Sequence, residues 1–159
     1  MSSVTVLEKE DSSAQNMREF LTITIADQLF GIPVLQVQDV LGEQKVTRVP
    51  LAPRAIAGSL NLRGRIVTAV DVRNCLGLPV NDKMSAHPMS VVVENQGELY
   101  SLMIDRVGDV MSLATRDYES NPATLDPLWK SVSQGIYRLK DTLLVVLDVP
   151  KLLDGIETK

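Results

Sequence analysis

The chain has very few of the residues that commonly build catalytic or metal centres. Among its 159 residues there is one cysteine, Cys75, and one histidine, His87. A single cysteine cannot form an internal disulfide, and Cys75 lies in a mixed apolar run, so we expect it to be a small buried hydrophobic residue. His87 stands in a polar stretch beside Pro88, which argues against a Ser-His-Asp triad and against a histidine-based metal site.

Long apolar runs and an excess of positive charge are also missing. No stretch approaches the roughly 20 apolar residues of a membrane-spanning helix, and the acidic start, residues 1–16, lacks the pattern of a signal peptide. The net charge is −4, which argues against broad nucleic-acid binding, and glycines do not form a phosphate-binding loop. We therefore expect a cytoplasmic protein with no direct membrane insertion, no nucleic-acid partner, no cofactor and no metal.

What the sequence does contain is an internal duplication. Residues 20–34, FLTITIADQLFGIPV, predict a β-hairpin, and residues 90–104, SVVVENQGELYSLMI, predict a second one. A shift of 70 residues aligns the two hairpins without a gap. A second block repeats with a shift of 77, in which Gly58 aligns with Gly135 and Asp71 with Asp148. Two copies of so long a unit exclude a solenoid or propeller and predict two similar β units.

The duplication predicts an all-β domain organised around two small barrels. We expect a flexible segment at 1–17, a folded domain at 18–159 that starts near Glu19, and repeat units of about 18–80 and 89–155, each with about five strands. Closing each set of strands into a barrel removes the exposed sheet edges; strands of the two halves can be exchanged. Residues 81–88 form a polar bridge and 117–130 a long connection, and short helical turns are expected at 34–41, 72–78 and 149–153.

Asp71 and Asp148 are the duplicated acids in front of two of these helical turns. The first interpretation is that each caps a helix by accepting backbone N–H bonds. The alternative is a hydrolase in which the two carboxyl groups share a proton across one cleft, roughly 3 Å apart. A structure distinguishes the two.

An Arg-Gly-Arg step, Arg63 to Arg65, stands at the mouth of the apolar run from Ile66 to Val72, which predicts a buried strand. Gly64 can adopt a positive φ in the turn and so hold the two arginines at a rigid rim. The planar fork of arginine suits a carboxylate or the backbone carbonyls of a protein partner. The other interpretation, that both are solvated turn charges, has equal weight from composition alone.

Several segments closely resemble the CheW family of chemotaxis coupling proteins, namely NLRG with the following strand that ends in Asp-Val-Arg, the earlier VQDVLGEQKVTRVP and the later IDRVGDVMSL. The resemblance covers about Glu19 to Leu153. It implies two SH3-like five-stranded β-barrels with a hydrophobic seam and short helical segments, and no enzymatic activity. It further implies an adaptor that couples the cytoplasmic tips of methyl-accepting chemotaxis receptors to the regulatory domain of the histidine kinase CheA.

The resemblance also implies a receptor-binding surface between the barrels that accepts a helical hairpin. By motif, its residues are Val37, Asp39, Gly58, Asn61, Arg63, Val107 and Val110; the residues that hold the kinase are not placed by any motif. Plain core packing remains an equal interpretation for the valines, and Asp39 departs from the glutamate that many relatives carry. The competing hypotheses are a coupling protein for a non-motility chemosensory pathway and a nucleic-acid-binding protein built on SH3-like barrels.

Overall fold

The computed structural model describes residues 16–42, 44–78 and 89–157. Within these ranges the chain folds mainly into short strands, with three short helices and two 3-10 turns at Val34–Gln36 and Thr115–Asp117. The strands are β1 Met17–Ile25, β2 Gln28–Pro33, β3 Val37–Leu41, β4 Ile56–Leu62, β5 Arg65–Asp71, β6 Met89–Asn95, β7 Glu98–Ile104, β8 Arg106–Ala114, β9 Tyr118–Glu119, β10 Ser133–Arg138 and β11 Leu143–Leu147. The helices are α1 Val72–Cys75, α2 Pro127–Lys130 and α3 Val149–Glu157.

The strands form two sheets. Sheet A has six strands in the order β8-β1-β2-β11-β10-β9, and sheet B has five in the order β3-β6-β7-β5-β4. Neighbouring strands are antiparallel except for β2 beside β11 and β5 beside β7, which are parallel. Sheet A and sheet B form barrel A and barrel B, the two SH3-like barrels that the resemblance implies. The prediction of the fold class is confirmed.

Each sheet combines strands from both copies of the duplication. The β1–β2 hairpin of the first copy joins β8 to β11 of the second, whereas the β6–β7 hairpin of the second copy joins β3, β4 and β5 of the first. The chain therefore passes from sheet A to sheet B between β2 and β3, and back to sheet A between β7 and β8. These two crossovers correspond to each other in the repeat.

Strand β11 is apolar along its whole length because both of its faces are covered. In β11, Leu144 and Val146 point into the core of barrel A, together with Phe20 and Tyr137. The alternate residues of β11, Val145 and Leu147, belong to a larger core that both sheets share. We call this shared core the seam; its buried residues are Leu21, Ile23, Ile25, Phe30, Ile32, Ala55, Val70, Val72, Cys75, Leu76, Val91, Val93, Leu102, Ile104, Val132, Ile136, Val145, Leu147, Val149, Leu152, Leu153 and Ile156.

The duplicated glycines lie where each barrel closes. Thr47 and Ser59 exchange two backbone hydrogen bonds of 2.8 Å, which join the segment after β3 to β4. A Cβ atom on the buried Gly58 would lie 2.8 Å from the carbonyl carbon of Thr47 and closer still to its oxygen. At Gly135 a Cβ atom would lie 2.5 Å from the carbonyl oxygen of Glu119, in β9. Both positions need glycine because a neighbouring backbone closes the barrel against them.

Several local predictions are confirmed and others need correction. The predicted hairpin turns are present at Ala26–Asp27 and Gln96–Gly97, and the first strand begins at Met17, two residues before the expected start of the folded region near Glu19. The helical turn expected at 34–41 lasts only three residues before β3, and the connection at 117–130 contains β9 and α2. Ile66 is 78% exposed, not buried, because it points outward at the tip of its hairpin. The predictions for residues 1–15, for 81–88 and for His87 fall outside the described residues.

Candidate functional site

The β4–β5 hairpin presents the Arg-Gly-Arg step in a tight two-residue turn. Leu62 pairs with Arg65 across the hairpin, and the turn residues Arg63 and Gly64 have φ values of 52° and 85°. Two positive φ values are the mark of a type I′ turn, which matches the twist of the flanking strands. The side-chain oxygen of Asn61 accepts the Gly64 N–H at 3.0 Å and so caps the turn. The side chain of Arg63 therefore projects from a rigid backbone. The left-handed conformation costs a residue with a β-carbon about 1–2 kcal/mol.

Arg63 forms an ion pair with Asp39, on β3, the edge strand at the other end of sheet B. The distance from Arg63 Nη2 to Asp39 Oδ2 is 3.2 Å, and the side chains are 81% and 28% exposed. The other Asp39 oxygen accepts the Val40 N–H at 2.8 Å, which holds the carboxylate in place. A pair this exposed contributes only about 0–1 kcal/mol to stability. It orients the guanidinium, most of whose donors still face solvent.

A shallow depression lies beside this pair. Besides Asp39 and Arg63, its lining comprises Gln38, Leu62, Arg65, Val92 and Leu99. Its volume of about 170 Å³ is below the range of roughly 300–1,000 Å³ that small-molecule sites occupy. The depression therefore fits a side chain of a docked protein better than a metabolite.

The predicted valines lie on the two edge strands that follow the crossovers. Val37 of β3 and Val107 of β8 are half-buried and pack against the seam, which accounts for much of their apolar character by core packing. Val40 and Val110, three residues further on, are 39% and 52% exposed. Strands β3 and β8 are edge strands of their sheets. We call β3 with its exposed Val40 the β3 rim, and β8 with its exposed Val110 the β8 rim; both lie beside the shared core.

The structure brings some of the predicted receptor-binding residues together and separates others. Asp39, Asn61 and Arg63 converge on the β3 and β4–β5 side of sheet B, and Val37 lies on the same edge strand. Val107 and Val110 lie on sheet A. Gly58 is buried against Thr47, so the need for a glycine there is met by barrel closure. The binding role of these residues stays a prediction.

Sequence reasoning missed a buried ion pair at the second crossover. Arg73, in α1, donates from Nε to Asp105 Oδ1 at 2.9 Å and from Nη2 to Oδ2 at 2.7 Å, and the side chains are only 13% and 6% exposed. The Ala26 N–H donates to the same carboxylate at 2.8 Å. Burial alone raises the pKa of Asp105, but the hydrogen bonds from Arg73 and Ala26 outweigh it and lower the pKa below its ordinary value. The hydrogen bond to Asp105 likewise raises the pKa of Arg73.

The two duplicated aspartates are helix caps. Asp71 accepts the Asn74 N–H at 3.3 Å at the start of α1, and Asp148 accepts the Lys151 N–H at 3.1 Å at the start of α3. This confirms the capping interpretation and leaves the hydrolase hypothesis without support. Cys75 is buried in the seam, as expected. In the described ranges no group of acidic, cysteine or histidine side chains is arranged to hold a metal, and no helix is long and apolar enough to cross a membrane.

The double barrel with an exposed charged hairpin defines a protein-binding scaffold. The model of the CheW-like domain matches residues 19–157, and the chain belongs to this family. It is 31% identical over 141 residues to the chemotaxis protein CheW of Klebsiella aerogenes, covering 88% of this chain and 84% of that one. It is 25% identical over 149 residues to the chemotaxis protein CheW of Thermotoga maritima, covering 92% and 95%.

The fold is also that of a solved relative. The crystal structure of the scaffolding protein TtCheW from Thermoanaerobacter tengcongensis superposes with a TM-score of 0.72 at 24% identity, covering 82% of this chain and 88% of that one. The family assignment identifies the chain as a chemotaxis scaffold protein and confirms the expectation of a non-enzymatic adaptor.

Proposed function

We propose that the protein couples methyl-accepting chemotaxis receptors to the histidine kinase CheA, with the receptor tip docked between the β3 and β8 rims. The observation that carries this proposal is that each sheet has an edge strand, β3 in one and β8 in the other, beside the shared apolar core, with a polar cluster next to β3. This arrangement suits a helix-in-groove mode of recognition, in which apolar anchors bury the helix face and polar groups line the edge. Val40 and Val110, both exposed, supply apolar contacts on the two rims.

Arg63 is the residue we expect to contribute most to receptor binding. Its guanidinium is held at the hairpin tip by Asp39 while remaining 81% exposed, so its free donors can bind a carboxylate or helix-end carbonyls of the receptor. Arginine is enriched among the few interface residues that dominate binding energy. The strain of its left-handed backbone, at φ 52°, is also typical of positions kept for function.

The kinase binds elsewhere, through its regulatory domain, which leaves the rims available to the receptor. In this proposal the protein lies in the cytoplasm, and binding to the receptor tip recruits it to receptor arrays at the membrane. The two partners are expected to bind together and not to compete.

The decisive experiment measures binding of a purified receptor cytoplasmic tip and of the kinase regulatory domain, separately and together, to wild type and to Arg63→Asn. This substitution creates the Asn-Gly step that type I′ turns prefer, so folding stability is expected to be kept or slightly raised. Receptor affinity is expected to fall by roughly tenfold or more because an arginine of the proposed interface is lost. Kinase affinity is expected to stay unchanged.

Arg138→Ala is the matched control, since Arg138 is also exposed and ion-paired, to Glu119 on barrel A at 3.0 Å. Its receptor affinity should equal that of the wild type. Equal affinity of Arg63→Asn and wild type for the tip would remove Arg63 from the site. Failure of the wild type to bind either partner would reject the coupling role itself.

A further inference from the structure

We propose that Arg73 and Asp105 are positioning residues that clamp β8, the sheet A rim of the docking surface, against sheet B. Among the described residues, the equivalent crossover before β3 has no such clamp. That the receptor is the partner docked on this rim rests on the proposed function, whereas the clamp itself consists of contacts within the chain.

Asp105 lies at the point where the chain changes sheets. It is the single residue between the end of β7, in sheet B, and the start of β8, in sheet A. Its carboxylate binds Arg73, which follows β5 of sheet B, and the N–H of Ala26, in the β1–β2 turn of sheet A. Three segments from two sheets thus meet on one side chain, two residues before Val107.

The contact geometry leaves this crossover little freedom. Arg73 binds both carboxylate oxygens, at 2.9 and 2.7 Å, and such a bidentate pair fixes orientation as well as distance. Both side chains are nearly buried, so solvent cannot readily replace either partner. The first residues of β8 are therefore held in one position relative to α1.

The other crossover differs although the duplication makes it equivalent. A shift of 70 residues places Leu35 where Asp105 stands, and Leu35 is 94% exposed. A shift of 77 residues places Pro150 where Arg73 stands, so no charge is available to pair. The side-chain oxygen of Gln36 at this crossover is buried and has no hydrogen-bond partner among the described residues. The β3 rim is thus the one that can adjust when a partner docks, and the β8 rim is the fixed one.

Hydrogen exchange of the full-length protein tests the clamp directly. In Arg73→Gln we expect the amides of β8 near residues 106–110 to exchange roughly tenfold faster or more. A buried carboxylate left without its partner is strongly destabilising, and local opening is expected where that charge lies. Val146→Ala is the control, because it removes two methyl groups from the barrel A core of the same sheet without touching the clamp. The two variants are compared under conditions in which they have lost the same global stability. If the exchange rate in β8 rises no more in Arg73→Gln than in Val146→Ala, the proposal is overturned.

A milder variant covers the case in which Arg73→Gln does not fold. Arg73→Lys keeps the charge but cannot supply the planar fork, and we expect the same selective loss of protection in β8 at smaller amplitude. Wild-type protection of β8 in this variant would show that the fork does not position the strand and would also overturn the clamp.

Receptor-tip affinity is the second readout. Arg73→Gln is expected to weaken tip binding several-fold although Arg73 is nearly buried, whereas Val146→Ala is expected to bind like the wild type. Unchanged tip affinity in Arg73→Gln would reject the positioning role. If the wild type does not bind the tip, the coupling function fails, and the exchange measurement still decides the clamp on its own.

Discussion

Replacing Gly58 by alanine should open barrel B, because the added methyl group occupies the space of the closing segment. Its Cβ atom would stand 2.7 Å from Val46 Cγ1 and 2.8 Å from the carbonyl carbon of Thr47. Gly58 also has a φ of 154°, which residues with side chains rarely adopt. The backbone of Thr47 cannot move away without breaking its two hydrogen bonds to Ser59.

The expected cost follows from these two effects. Strain at an unfavourable φ costs of order 1–3 kcal/mol, and the overpacked contact or the lost bridge costs a further 1–3 kcal/mol, approximately. We therefore expect the free energy of unfolding to fall by about 2–6 kcal/mol, which lowers the melting temperature of a chain this size by on the order of 10 °C.

Urea and thermal unfolding of Gly58→Ala and Gly97→Ala measure the effect. Gly97 has a positive φ of 81° but nothing within 4 Å of its added Cβ atom, so its substitution reports backbone strain alone, about 1–2 kcal/mol. An equal loss of stability in the two variants would refute the clash with Thr47. A wild-type melting curve for Gly58→Ala would refute the whole account of barrel closure.

Three further predictions concern the rest of the chain. The pKa of Asp105 is lowered from its ordinary 3.8, so the carboxylate stabilises the fold fully above that value and loses this contribution as the pH falls through the lower folded pKa. The urea midpoint of the wild type should therefore drop below about pH 4. The midpoint of Asp105→Asn should already be lower at neutral pH and should change less on acidification. The Tyr137 hydroxyl is buried without a hydrogen-bond partner among the described residues, so Tyr137→Phe should be neutral or stabilising by about 1 kcal/mol in calorimetry, and a clear loss would reveal a partner. Asp71→Ala and Asp148→Ala should each cost about 1 kcal/mol in urea unfolding as lost helix caps; no loss in either would contradict the capping role.

The sequence predicted what depends on local patterns. The hairpin turns at Ala26 and Gln96 and the caps at Asp71 and Asp148 each leave a signal within a few residues, and the duplication is visible as a repeated pattern of residue types. A repeat shows that two units are similar, but not which hairpin joins which sheet, and so the exchange of hairpins stayed open. The Arg73–Asp105 pair was missed because its members are 32 residues apart and each resembles an ordinary surface charge. The only available signal was that both lie in segments shared with the CheW family.

In the proposed docking mode, differences between the two copies of the duplication would let a nearly symmetric scaffold bind its partner in one direction. The equivalents of Asp39 and Arg63 in the second copy are Asp109 and Lys140, and no ion pair joins these two in the described part of the chain. The polar cluster therefore lies beside the β3 rim alone, while the buried clamp lies at the β8 rim. In the proposed mode, a helix docked between the rims would meet the Asp39–Arg63 ion pair on the β3 side and the clamped strand on the β8 side. In the proposed docking mode, reversing the helix would exchange these surroundings, so the asymmetry in charge, and not the shared barrel fold, would select one orientation of the receptor.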